Sequence, residues 1–144
     1  MTANKAKKSG SAMTEIALVL PPLLLMIMGV ADFARVFYAA IEVANAASAG
    51  ALAGSYKVPN ARNTTLISNA ATNEAPDLSG VTVSSSRACN CANGTSVSCG
   101  GTCLTGNVQM YLTVTVSKTF NTLARYPKVP SQMVLSRTTK IRVQ

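Results

Sequence analysis

The chain has 144 residues, room for one modest domain and an additional segment. Hydrophobic residues make up 48% and charged residues only 12%, too apolar for an ordinary soluble domain and too mixed for a multi-span membrane protein. Net charge is +8, but Lys5, Lys7 and Lys8 crowd the first ten residues and the other basic residues are scattered without aromatic interleaving, so no nucleic-acid partner is expected.

Residues 1–10 form a polar, basic leader. Ile16–Ala31 (IALVLPPLLLMIMGVA) is uncharged and apolar, and Asp32 and Arg35 close it. Crossing a bilayer takes about 20 apolar residues rising about 1.5 Å each, and the flanks Ala12, Met13, Phe33, Val36 and Phe37 extend the run to that length. Residues 11–38 are therefore predicted to be a transmembrane helix. The lysines hold its amino end in the cytoplasm, which makes 39–144 an extracytoplasmic domain. A secretory signal peptide shares the basic and apolar regions. Glu15 at the near edge of the run, and a helical pattern that continues past Ala40, argue against it. Pro21 and Pro22 deprive the carbonyls of Ala17 and Leu18 of helical partners, which membrane helices tolerate.

The stretch Lys7-Lys8-Ser9-Gly10-Ser11-Ala12-Met13-Thr14-Glu15 resembles a type IV prepilin leader junction. The resemblance implies a cytoplasmic-side cut after Gly10, a new N-terminus at Ser11, and Glu15 as fifth residue of the mature chain. The longer stretch Gly10–Tyr38 resembles the N-terminal segment of the TadE-like family of minor pilins or pseudopilins, part of the tight-adherence (Flp-type) pilus system. Leu112–Val143 resembles the C-terminal hairpin of that family. Implied partners are other pilin subunits, the Tad-type assembly machinery, a prepilin peptidase and the membrane. The implied location is the inner (cytoplasmic) membrane, single-pass with the C-terminal domain outside, or an extracellular pilus. The chemistry agrees: glycine lets a backbone lie extended in a protease cleft. A glutamate at the hydrocarbon edge is costly unless paired. Ile16 departs from the aromatic usual after that glutamate, and the chain is longer than a major Flp pilin, so the resemblance points to a minor component.

Ala39–Ser55 is alanine-rich and is predicted to continue the helix, with Ile41, Ala44, Ala47 and Ala51 as its apolar face. Ala46, Gly50 and Gly54 recur every four residues, which permits close backbone approach, by our reading to the protein's own sheet. Tyr56–Asn63 reads as a loop, and Thr64 or Thr65 as the cap of a short helix to about Glu74 with Leu66, Ile67, Ala70 and Ala71 inward. Val81–Arg87 reads as a strand. Val108, Met110, Leu112, Val114 and Val116 alternate with polar residues in a second, and Met133–Val143 forms a third after the turn at Tyr126–Pro130. The expected architecture is α+β and pilin-like, a long N-terminal membrane-spanning helix packed on a small three-stranded antiparallel sheet.

Cys89, Cys91, Cys99 and Cys103 form an even cluster, which outside the cytoplasm implies disulfides. Zinc is disfavoured because C-x-C and C-x₃-C are not the usual knuckle spacing and the chain has no histidine, so no metal and no cofactor are expected. Of three pairings, nested bridges Cys91–Cys99 and Cys89–Cys103 around the Asn93-Gly94 loop are preferred. Without histidine, and with few carboxylates, general acid–base chemistry has little material, so no catalytic residue is assigned and an enzyme is not expected. Two functions remain: a minor pilin or pseudopilin that primes, caps or decorates a Flp/Tad-type pilus or secretion apparatus, or a single-pass anchored extracytoplasmic binding module outside any filament.

Overall fold

A computed structural model of the chain describes residues 7–104, 106–123 and 128–144. Most of the leader, and Tyr126 and Pro127 of the expected turn, lie outside the described residues. One helix, α1 (Lys7–Ser55), runs unbroken through Pro21 and Pro22. Two short helices follow, α2 (Val58–Arg62) and α3 (Thr64–Glu74), then strands β1 (Thr82–Asn90), β2 (Ser96–Val97), β3 (Gln109–Asn121) and β4 (Gln132–Arg142).

The fold is α+β as expected, but the antiparallel sheet has four strands rather than three, in the order β2-β1-β3-β4. The additional strand arises at the Asn93-Gly94 turn. Gly94 adopts φ +86°, a left-handed conformation that glycine enters without a Cβ clash. Its N–H donates to Cys91 O, the Cys91 N–H donates to Thr95 O, and the returning chain pairs Ser96 with Asn90 and Val97 with Cys89. Two residues are too few for alternation to be read. The same pairing carries β1 on to Asn90, three residues beyond the expected end.

The second half of α1 covers the inner face of the sheet. Ala39, Val43, Ala46, Ala47 and Ala51 are buried along it, whereas Ile41 is exposed, so the apolar face is rotated from the one anticipated. The strand alternation holds: Met110, Leu112, Val114 and Val116 are buried, and the polar residues between them are only half-buried. The small-residue steps do what their spacing predicts. A methyl group at Gly50 would come within 3.2 Å of both Ala71 Cβ and Ile67 O, and one at Gly54 would overlap the buried Leu112. The helix axis thus lies closer to α3 and β3 than a larger side chain permits.

Two local expectations are corrected. Residues 58–62 are helical rather than loop, because Pro59 stands near the start of α2, where its missing N–H costs nothing. The cap of α3 is Asn63, whose side-chain oxygen accepts from the Leu66 N–H at 3.0 Å, so Thr64 and Thr65 fall inside the helix. At the chain's end the Val143 N–H donates to Met110 O and the Gln144 N–H to Ser55 O, fastening β4 beside the end of α1.

Candidate functional site

The first half of α1 makes almost no contact with the rest of the molecule. Between Met13 and Val30 its large apolar side chains stand open, with Leu18 at 78% and Met26 at 71% exposed, and the helix is long and apolar enough to cross a membrane. The predicted site residues lie at its start. Gly10 is the fourth residue of α1, with nothing near its Cα that a methyl would meet, and Ser11 follows it in the helix. Glu15 is exposed one turn on, and among the described residues nothing forms a hydrogen bond or ion pair with its carboxylate. Gly10 and Glu15 thus share a helical end without contact to the folded domain.

Where α1 meets the domain, there is a second group that sequence reasoning took for a simple boundary. Asp32 is buried, with a side chain 6% exposed. Both its oxygens lie 3.0 Å from the backbone N–H of Leu123, which donates to them from just beyond β3. Arg35, three residues on, donates to Asp32 Oδ1 at 3.2 Å and lays its guanidinium 5.2 Å from the centre of the Phe120 ring. Each partner removes part of the cost of burying a carboxylate at this place. A charge pair at i and i+3 marks a helix face in any sequence, but an amide 91 residues away leaves no local signal. Beside it, Tyr38 donates to Asp77 Oδ2 at 3.1 Å, bridging α1 to the segment after α3. A concave surface of about 560 Å³ lies between these elements, lined by Arg35, Tyr38, Asp77, Lys118 and Phe120 among others.

The cysteines sit at the other end of the sheet and are all oxidised, but the pairing is Cys89–Cys99 and Cys91–Cys103. The nested arrangement is overturned by strand register. Cys89 faces Val97, so Cys99 lies two residues along the returning chain from Cys89's partner and four from that of Cys91. Cys99 closes on Cys89 with Cα atoms 5.1 Å apart. The chain then turns back through the Gly101 N–H to Ser98 O bond, bringing Cys103 to Cys91 at 5.7 Å. Cys89 on β1 and Cys91 just past its end are two residues apart, and the Cys91 N–H to Thr95 O bond continues the strand pairing, so both meet the returning chain.

Mass spectrometry under non-reducing conditions is expected to find no free thiol; four free thiols or stoichiometric zinc would contradict the arrangement. Loss of one bridge is expected to cost about 2–5 kcal/mol by denaturant unfolding, at the low end because the loops are short. Cys89–Cys99 should cost more than Cys91–Cys103, because Cys89 belongs to the core cluster beside Met110.

Residues 10–52 match the TadE-like protein family. The match begins at Gly10, contains Glu15 and Asp32, and ends within the part of α1 that covers the sheet. It bears out the TadE-like resemblance of the N-terminal segment and supports the coarse reading of a membrane-anchored protein associated with the Tad pilus. The matched TadE-like segment is under a third of the chain and does not reach the hairpin at 112–143. Neither the curated proteins nor the solved structures compared with the chain gave a match.

Proposed function

We propose that the protein is a minor pilin or pseudopilin, a non-enzymatic structural component that primes, caps or decorates a Flp/Tad-type pilus or secretion apparatus. In this reading α1 holds the subunit in the inner membrane before assembly and contacts neighbouring pilin helices within the assembly. The Tad-type machinery moves the subunit, and a prepilin peptidase cuts between Gly10 and Ser11. The observation that carries the reading is that Gly10 and Glu15, the latter without a partner among the described residues, stand near the start of an exposed apolar helix within the TadE-like match.

Chemistry supports each role. The cut site lies within the helix at a glycine, which costs about 1 kcal/mol of helix stability relative to alanine. A peptidase can therefore draw Gly10 out of the helix at small cost. Cleavage leaves a positive amine on Ser11, and an exposed carboxylate near the same level is available to an amine on an adjacent subunit.

The test is the N-terminus of mature protein made in cells with a prepilin peptidase. Sequencing is expected to begin at Ser11, and Gly10→Phe to leave the leader attached. A wild-type chain that keeps its leader and reaches the surface outside any filament would favour the anchored binding module. A mature chain starting near residue 40 would indicate ordinary secretion.

A further inference from the structure

The charges of the domain are sorted by element. Its acidic residues, Glu42, Glu74 and Asp77, lie in α1, at the end of α3 and just beyond it. Past Asp77 the chain carries arginines and lysines but no acidic residue, so every charged side chain on the sheet is positive.

One face of that sheet carries no helix among the described residues. α1 and α3 cover the side that buries Met110, Leu112, Val114 and Val116. Alternation turns Thr113, Thr115 and Ser117 of β3 to the opposite side. Register sets Thr113 between Ser86 and Lys140, Thr115 between Ser84 and Thr138, and Ser117 between Thr82 and Ser136. Successive rows across β1, β3 and β4 are thus hydroxyls, with Lys140 as the exception. The β1 and β4 members of these rows are all exposed, so no described element covers them. Within one row the Thr115 and Thr138 hydroxyls lie 2.9 Å apart. The next row, Ala88–Tyr111–Arg142, adds a ring and a second cation. Lys140 Nζ stands 5.0 Å from the centre of that ring. Strands about 4.8 Å apart, rising about 3.4 Å per residue, make this a surface about 10 Å wide and about 20 Å long.

What such a face can hold follows from its chemistry. A hydroxyl both donates and accepts, so a regular array pairs with a ligand that is itself rich in hydroxyls. Lys140 and Arg142, with no acidic residue on the sheet, call for negative charge on the same ligand. A protein partner would need an apolar core that these rows lack, and a second copy would bring only more positive charge. Nucleic acid would need more cations to follow its phosphates and open rings for its bases, whereas the Tyr111 ring is met by Lys140.

We propose that this face binds an acidic polysaccharide, a uronate-bearing chain lying along β3. Its hydroxyls meet the serine and threonine rows. Its carboxylates meet Lys140 and Arg142, the planar guanidinium matching a carboxylate with two parallel bonds. Such binding needs only the folded domain and is independent of incorporation into a filament.

Full-length protein in uncharged detergent micelles, at about 0.15 M salt, is titrated by calorimetry with alginate, neutral dextran and duplex DNA. Alginate is expected to bind tightest and dextran not at all. Ser84→Ala with Thr138→Val removes the two exposed hydroxyls flanking Thr115 without changing the charge, and should weaken alginate binding about fivefold. Lys140→Gln with Arg142→Gln should weaken it at least about tenfold. Lys57→Gln with Arg62→Gln removes the same charge from exposed positions around α2, and should change binding less than about twofold. All these positions are exposed, and protease resistance of the domain verifies the fold of each variant. Equal losses in the two charge variants would mean that net charge alone draws the polymer. Unchanged binding in the hydroxyl variant would mean that the rows take no part. Either result overturns the proposal, as do tighter binding of DNA, equal binding of dextran, or no binding of alginate.

Discussion

Glu15→Ala is expected to abolish or sharply reduce incorporation into pili while leaving the outer domain folded and the helix inserted. In the isolated chain Glu15 is exposed and, among the described residues, unpartnered, so its removal deletes no internal contact. It also stands about 25 Å along α1 from Asp32, the first residue packed against the domain, by the helical rise. In an assembly the balance reverses. In the proposed assembly a carboxylate in an apolar bundle would carry a large desolvation cost, and the Ser11 amine freed by the proposed cleavage on an adjacent subunit would offset it. Deleting one member leaves the other charge buried alone, a loss of about 3–5 kcal/mol at each such contact and hence more than a hundredfold in association. Immunogold detection or pull-down with partner pilins reads incorporation, and protease resistance reads the fold. Wild-type incorporation would reduce Glu15 to an interfacial residue.

Glycine-to-alanine substitution along α1 is expected to have effects ordered by packing rather than by helix propensity. At Gly29 a new methyl meets nothing, so Gly29→Ala should be neutral or slightly stabilising to the helix. At Gly50 it meets Ala71 and Ile67 at 3.2 Å, close enough that the helix must move by tenths of an ångström. At Gly54 it collides with Leu112 and crowds Ile67, both fully buried, so neither side chain can swing aside into solvent. Overpacking of this kind costs about 1–3 kcal/mol, and Gly54→Val more, against a total stability of about 5–15 kcal/mol for such domains. Gly54→Val should therefore give a protease-sensitive outer domain on a still-inserted helix. Denaturant midpoints decreasing in the order Gly29→Ala, Gly50→Ala, Gly54→Ala confirm the account. Equal midpoints would mean that α1 does not pack this closely.

The largest features were legible because they are local. An uncharged run with charged flanks and an alanine-rich continuation specify one long helix, and strict alternation from Val108 to Val116 specifies a strand with one buried face. The periodic Ala46, Gly50 and Gly54 announced a close approach, and the structure supplies the surfaces approached, α3 and β3. Cys89, Cys91, Cys99 and Cys103 likewise showed that cross-links exist, because their number and spacing suffice for that.

Which cysteine meets which depends on register. The Asn93-Gly94 turn and the pairing of Cys89 with Val97 decide it, and both also create the two-residue strand that alternation cannot reveal. The helix face was misjudged at Ile41 for a related reason: in a stretch composed mainly of alanine, periodicity is weak, and contact with β3 and α3 sets the rotation. Asp32 is the plainest case. Read along the chain, it is the charge that closes an apolar run. Only the return of β3 to the same level brings the Leu123 amide within 3.0 Å and makes the residue a buried clamp. The sequence by itself determined an apolar helix followed by an α+β domain, because those follow from residue types at helical and strand spacing. The tertiary structure alone decided the disulfide pairing, the buried helix face and the Asp32 clamp, because each joins groups far apart along the chain, and such contacts leave no periodic trace.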